Sequence, residues 1–226
     1  LPPPRQWPVD LALNRDLFHL GAWWVRRVVW DETFGPLPDV ASYIRATQFT
    51  QADGLRYAIE ADRRRRWRNS GVIPWQFNEP YPMAACTSAV DYRAEPKPVY
   101  YAVARAYAPL TITAAFPTLC WEGRGEFEAT ISVTDARLDG ATSGVLTARL
   151  VGASGRVCAE TTREVSWAAN GTTELVVFQH PMAEVEEDVF FLDLAVVEES
   201  FATEVTESAE ARNHRCRGGV TPPLPG

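Results

Sequence analysis

An α/β segment of barrel type running into an all-β sandwich is the fold class this sequence predicts. Ser70–Pro109 reads as a buried strand, then an aromatic and amide-rich loop, then an apolar-striped helix. An α/β barrel delivers side chains to its catalytic face in that order. From Leu110 onward the hydrophobic period changes to two, the signature of half-buried strands. The 226 residues allow one large or two small domains, and 46% hydrophobic residues with 8 Trp supply a substantial core.

Residues 1–20 are Pro-rich and irregular, and GAWWVRRVVWDETFG after them suits a short helix with aromatic anchors at Trp23, Trp30 and Phe34. A stronger helix follows PLPD. Pro38 suits a first turn and Asp39 the positive end of the dipole. Apolar or small residues at Val40, Tyr43, Ile44, Thr47, Ala52, Leu55, Ala58 and Ile59 then make a stripe of helical period, which Ser70 and Gly71 are expected to end. VIPWQFN is a short branched and aromatic run between Gly and Pro, the pattern of a strand buried on both faces, although Pro74 removes a ladder donor. PKPVYYAVARAYAP then reads as a helix opened by Pro98, with Val99, Ala102, Val103 and Ala106 on one face and Pro109 at its end.

LTITAAF, EFEATISVTDARL, GVLTARLVG, RVCAETTREVSW, TTELVVFQ and DVFFLDLAVVEE are six predicted strands, with FATEVTESAEA as a seventh. Asp139-Gly140, Ser154-Gly155 and Asn170-Gly171 are the hairpin signals between them. Six or seven strands in about 100 residues describe an immunoglobulin-like sandwich. The expected organisation is a barrel portion over 1–109, a sandwich over 110–212 and a tail or linker over 213–226. The sequence opens LPPPRQWP without Met and has no run like a signal or spanning segment, so a piece of a longer polypeptide is expected and the compartment is open.

The net charge of −7 is unevenly spread. Up to Ala108 there are 14 basic and 11 acidic residues; the remainder has 8 and 18, a balance of −10. Such a half repels nucleic acid and anionic membrane, so neither is expected as a partner. The run Arg63–Arg66 with Arg68 is read as the last turns of a helix, where cations complement the dipole. Of 22 basic residues only Lys97 is lysine, read as a bias of coding composition. Cys86, Cys120, Cys158 and Cys216 lie 34, 38 and 58 residues apart, with no CxxC or Cys/His cluster, so neither a metal site nor a cofactor is expected. Cys120 and Cys158 suit a disulfide in an oxidising compartment, but buried free thiols are the preferred reading.

Trp75, Gln76 and Asn78 are the candidate ligand-binding residues. Sugars stack a CH-rich face on an indole while amides hydrogen-bond their hydroxyls; the alternative is that Trp75 and Phe77 are plain core aromatics. Glu79, in Asn78-Glu79-Pro80, invites a catalytic reading. Retaining glycoside hydrolysis, however, needs two carboxyls about 5–5.5 Å apart, and no partner is evident beside Glu79. Orientation of loop amides is the preferred role. His19, His180 and His214 are scattered without a nucleophile, so no triad is arguable, and no Gly-rich phosphate loop exists. Asn170-Gly171-Thr172 fits a glycosylation sequon and, better, a turn.

Several pieces in order closely resemble the end of the catalytic barrel of glycoside hydrolase family 2, its β-mannosidase branch in particular. Over roughly residues 15–109 these are His19-x-Gly21-Ala22-Trp23-Trp24, SYIRATQFTQADGLRYAIEADRRRR, GVIxWQFNEPYP and VDYRAEPKPVYYAVxRAYAP. The resemblance implies a retaining exo-β-glycosidase, with this chain supplying barrel helix seven, strand eight and helix eight, then an immunoglobulin-like domain. It places both catalytic glutamates upstream of Leu1, so no catalytic residue falls within the chain. Trp75 matches the strand-eight Trp at the floor of the sugar subsite, and Gln76, Asn78 and Asp91 match motif positions. Glu79 and Tyr81 stand where the family often has Asp and Trp. The implied partners are a terminal β-linked sugar and the rest of the barrel. The competing reading is a non-catalytic carbohydrate- or protein-binding sandwich on a helical scaffold; exposed sandwich aromatics would support it, but Phe127, Phe178, Phe190 and Phe191 read largely as core. A basic nucleic-acid module is disfavoured by the charge count.

Overall fold

A computed structural model describes residues 27–83 and 86–198. The chain divides into two compact units, Leu1–Thr111 and Ile112–Gly226. The HxGAWW-like stretch, His19, His214, Cys216 and the seventh predicted strand lie outside the described residues.

The first unit holds helices α1 (Arg27–Phe34), α2 (Val40–Arg64) and α3 (Pro98–Ala106). Asp39 caps α2, its carboxylate accepting from the Ser42 amide at 2.7 Å. Pro38 therefore lies before the helix, not in its first turn. The helix ends at Arg64 with Arg65 as its C-cap, earlier than Ser70 and Gly71 predict. Only Arg63 and Arg64 of the basic run occupy its last turn. Arg63 has a further role there: it donates to the carbonyls of Ala106 and Pro109, satisfying the open C-terminal end of α3. The buried stripe of α2 is Tyr43, Ala46 and Ile59, while Ile44 is exposed. In α3 Pro98 opens the helix behind the N-cap Lys97, and Val99, Ala102 and Ala106 are buried as the pattern predicts.

VIPWQFN forms no ladder. Asn78 makes an isolated parallel bridge to Val90, and Val90 an antiparallel one to Pro96. Ile73 is 96% exposed, Trp75 72% and Phe77 68%, so the expected strand buried on both faces is not seen. The cause is a shortage of neighbours. Among the described residues, the amides and carbonyls of 76–79 bond only to 89–90, on one side of the segment.

The second unit is two three-stranded sheets, ordered β1-β2-β5 and β4-β3-β6. The strands are β1 (Leu110–Ala115), β2 (Glu126–Asp135), β3 (Ser143–Gly152), β4 (Val157–Ser166), β5 (Gly171–Pro181) and β6 (Phe190–Glu198). β2 pairs antiparallel with β5, and β3 with both β4 and β6. One core lies between the sheets, with Phe127, Ala129, Ile131 and Phe178 on one side and Leu146, Ala148 and Leu150 on the other. β3 alternates without a break, its even residues buried. β2 alternates to Ile131; a register shift between Ile131 and Ser132 then leaves residues 131–135 all buried.

Ser154-Gly155 turns the β3–β4 hairpin as predicted. The other two turn signals do not make hairpins. Asp139-Gly140 and Asn170-Gly171 carry the chain from one sheet to the other, since β2 and β5 lie in one sheet and β3 and β4 in the other. Both sites still use the left-handed backbone these residues tolerate, with φ of 115° at Gly140 and 51° at Asn170.

Candidate functional site

The candidate site is built from two short runs, 75–79 and 88–97, in front of α3. The Ala89 amide donates to the Gln76 and Phe77 carbonyls at 3.0 and 3.1 Å, and the Val90 amide to Phe77 at 2.9 Å. The Glu79 amide returns a bond to Val90 at 3.1 Å. On the far side of this ribbon the Lys97 amide donates to Ala89 at 2.9 Å. A three-layer strip results, with 88–90 in the middle. Trp75 sits at its open end.

Of the sequence candidates, Trp75, Gln76 and Asn78 are exposed on one short segment. Asp91 is partly buried and differently employed. Its Oδ1 accepts from the amides of Arg93 at 2.8 Å and Glu95 at 2.9 Å, closing the turn before Lys97.

Glu79 is buried, at 7% exposure. Its Oε1 accepts from Lys97 Nζ at 2.5 Å and from Ser88 Oγ at 2.8 Å. Lys97 Nζ also donates to Ser88 Oγ at 2.8 Å and to the Cys86 carbonyl at 3.4 Å. An ammonium and a hydroxyl thus hold the Glu79 carboxylate, and the trio joins the outer layers of the strip. With its Oε1 accepting from two donors at once, this carboxyl is placed to organise the loop. Neither Lys97, taken in the sequence only as a compositional bias, nor Ser88 is among the sequence candidates. The signal available is positional: the only lysine of the chain stands between two prolines at the mouth of a helix.

A second polar constellation lies in the sandwich. Asp135, 1% exposed, receives Arg137 Nε at 2.9 Å, Arg137 Nη2 at 2.8 Å and Trp167 Nε1 at 3.0 Å. Arg137 also reaches Glu198 at 2.6 Å, so the cluster ties the end of β2 to the sheet that carries β6. The fork of Arg137 holds the Asp135 carboxyl down at a pKa of about 2. Every member is satisfied within the fold, which marks a clamp and not a binding site.

Cys86, Cys120 and Cys158 are free thiols, and Cys120 is exposed, contrary to the buried expectation. No group of His, Cys, Asp or Glu able to hold a metal occurs among the described residues. No helix among them is long and apolar enough to cross a membrane. Phe127 and Phe178 are core, as read, whereas Phe191 is 61% exposed. A mostly apolar pocket of about 270 Å³ is lined by Phe116, Trp121, Phe127, Val189 and Phe190 among others, with Asp188 as its one charged residue.

No protein-family model matches the chain. Over 78 residues it is 36% identical to β-mannosidase B of Aspergillus niger, 35% to that of Aspergillus terreus and 36% to that of Emericella nidulans. The match takes in 33% of this chain and 9% of each of those proteins, so the matched segment spans under a tenth of the curated relatives' length. Over that third, this chain is related to β-mannosidases.

Proposed function

We propose that this chain is the C-terminal portion of a retaining exo-β-glycosidase of β-mannosidase type within glycoside hydrolase family 2. Residues 1–109 would close its (β/α)8 barrel, 110–212 would form an immunoglobulin-like domain, and 213–226 a tail. The observation that carries the proposal is the exposed Trp75-Gln76-Phe77-Asn78 segment, tethered by the ion pair of buried Glu79 with half-buried Lys97. An exposed indole beside two amides has the composition of a sugar subsite. The likeness to β-mannosidase B supports the same reading. Exposure of Ile73 and Phe77 fits a strand whose neighbours come from the rest of the barrel. The order β1-β2-β5 opposite β4-β3-β6 fits an immunoglobulin-type sandwich.

In the assembled enzyme Trp75 would stack on the terminal sugar, while Gln76 and Asn78 hydrogen-bond its hydroxyls. Asp91, by its bonds, would shape the neighbouring turn. Two glutamates outside this chain would act as acid/base and nucleophile. The isolated 226-residue chain is therefore expected to leave nitrophenyl β-mannoside intact. Measurable turnover by it, abolished in Glu79→Gln, would overturn the assignment. In the active species Trp75→Ala is expected to raise KM at least tenfold, and an unchanged KM would remove Trp75 from the subsite.

A second reading is favoured by the apolar pocket of the sandwich: a non-catalytic module that binds carbohydrate or protein there. Calorimetry with a panel of sugars separates the two. Binding abolished by Trp121→Ala but indifferent to Trp75→Ala would favour the module.

A further inference from the structure

We infer that Lys97 and Glu79 form a buried latch that positions Trp75, an inference that rests on the glycosidase reading only for its effect on substrate. The backbone pattern explains why a latch is required. Among the described residues, segment 76–79 has backbone hydrogen-bonding neighbours on one side alone, and Ile73, Trp75 and Phe77 around it are exposed. Packing therefore contributes little to its placement. What remains is the backbone bonds to 89–90, the Tyr107 hydroxyl on the Val72 carbonyl before Trp75, and after it the tether at Glu79. Lys97 sits at the crossing of all three layers: its amide holds Ala89, and its ammonium holds Glu79, Ser88 and the Cys86 carbonyl.

The chemistry selects a lysine here. Three N–H donors on one ammonium meet three oxygens, those of Glu79, Ser88 and Cys86. The planar fork of arginine does not converge on such a set. Lys97 is also the N-cap residue of α3, with a side chain that makes no cap bond. Its side chain is thus spent on the latch, and the helix carries the latch as a rigid mount. Glu79 lies four residues after Trp75, near enough for its tether to fix the direction in which the chain presents the indole. Lys97 and Glu79 are accordingly positioning residues, acting on a ligand through Trp75.

The test reads Trp75 directly. The near-ultraviolet circular dichroism of the chain minus that of Trp75→Phe isolates the signal of this one indole. The same difference is then taken in Lys97→Met and, should that variant fold poorly, in Glu79→Gln/Lys97→Met, which leaves no buried charge. The latch predicts that the Trp75 signal falls by at least half. Hydrogen exchange at the Val90 amide is expected to quicken tenfold or more, and Lys97→Arg should not restore either value. A folded variant with the Trp75 signal unchanged overturns the inference. In the assembled enzyme, KM for nitrophenyl β-mannoside should rise with kcat nearly constant, and the rise should vanish in a Trp75→Ala background. Loss of the Trp75 signal without any glycoside cleavage by the assembled species would leave the latch standing and defeat the glycosidase reading. Cleavage with an unmoved signal would do the reverse.

Discussion

β2 and the 72–79 segment are both apolar, extended runs, and they end in opposite states. β2 lies between β1 and β5, and its Phe127, Ala129, Ile131 and Val133 are at most 3% exposed. Among the described residues the 76–79 part bonds to 89–90 alone and Val72 to the Tyr107 hydroxyl, and Ile73, Trp75 and Phe77 are 68–96% exposed. Composition does not separate them. Neighbours do: a strand is buried when ladders flank it and a second layer covers it. The polar groups follow the same division. In the sandwich the Asp135–Arg137 clamp adds to a core already closed, whereas Glu79–Lys97 adds to a few backbone bonds and the Tyr107 hydroxyl's bond to the Val72 carbonyl on a segment with little cover.

The sharpest way to break this comparison is to cut apolar atoms from both regions. Leu146→Ala empties a fully buried site in β3 and is expected to cost the sandwich about 3 kcal/mol in urea unfolding. Ile73→Ser in the isolated chain should fall within about 0.5 kcal/mol of the parent. Equal losses at the two sites would mean that Ile73 is covered after all.

Next in size is Asp135→Asn, which leaves Arg137 without its fork partner. The depressed carboxyl accounts for about 2 kcal/mol. Because the folded-state pKa is lowered, that stability is present above the ordinary carboxylate value of 3.8 and is lost as pH falls toward about 2. Unfolding midpoints measured from pH 5 to pH 2 should therefore converge for parent and variant. A gap that persists at pH 2 would assign the loss to packing. A smaller and purely steric effect is expected at Gly144. A Cβ there would stand 2.3 Å from the Val197 carbonyl oxygen, so Gly144→Ala should cost about 1–2 kcal/mol by forcing β3 and β6 apart.

What the sequence made legible follows the same physics. Period-two runs locate all six described strands, because each has one face on a core. Their division into sheets is not legible. Asp-Gly and Asn-Gly report a tight turn, and a chain turning between sheets needs the same left-handed backbone as one turning within a sheet. Helix α3 is read well, since Pro98 and the Val99, Ala102, Ala106 stripe are local signals. The strand expected at 72–78 fails because burial depends on partners that no local pattern encodes. At the candidate site the sequence offers Trp75, Gln76 and Asn78 from the chemistry of sugar binding. Beyond the place of Lys97 between two prolines, nothing local shows that it reaches back 18 residues to Glu79.

The central claim is that this chain works as part of a larger β-mannoside-cleaving enzyme. The most direct test is the mass and activity of the species carrying this chain, captured from its source and assayed on nitrophenyl β-mannoside. The account predicts a species well above 25.2 kDa that cleaves the substrate and loses affinity for it in Trp75→Ala. A 25.2 kDa protein inert on every β-glycoside tried would contradict it.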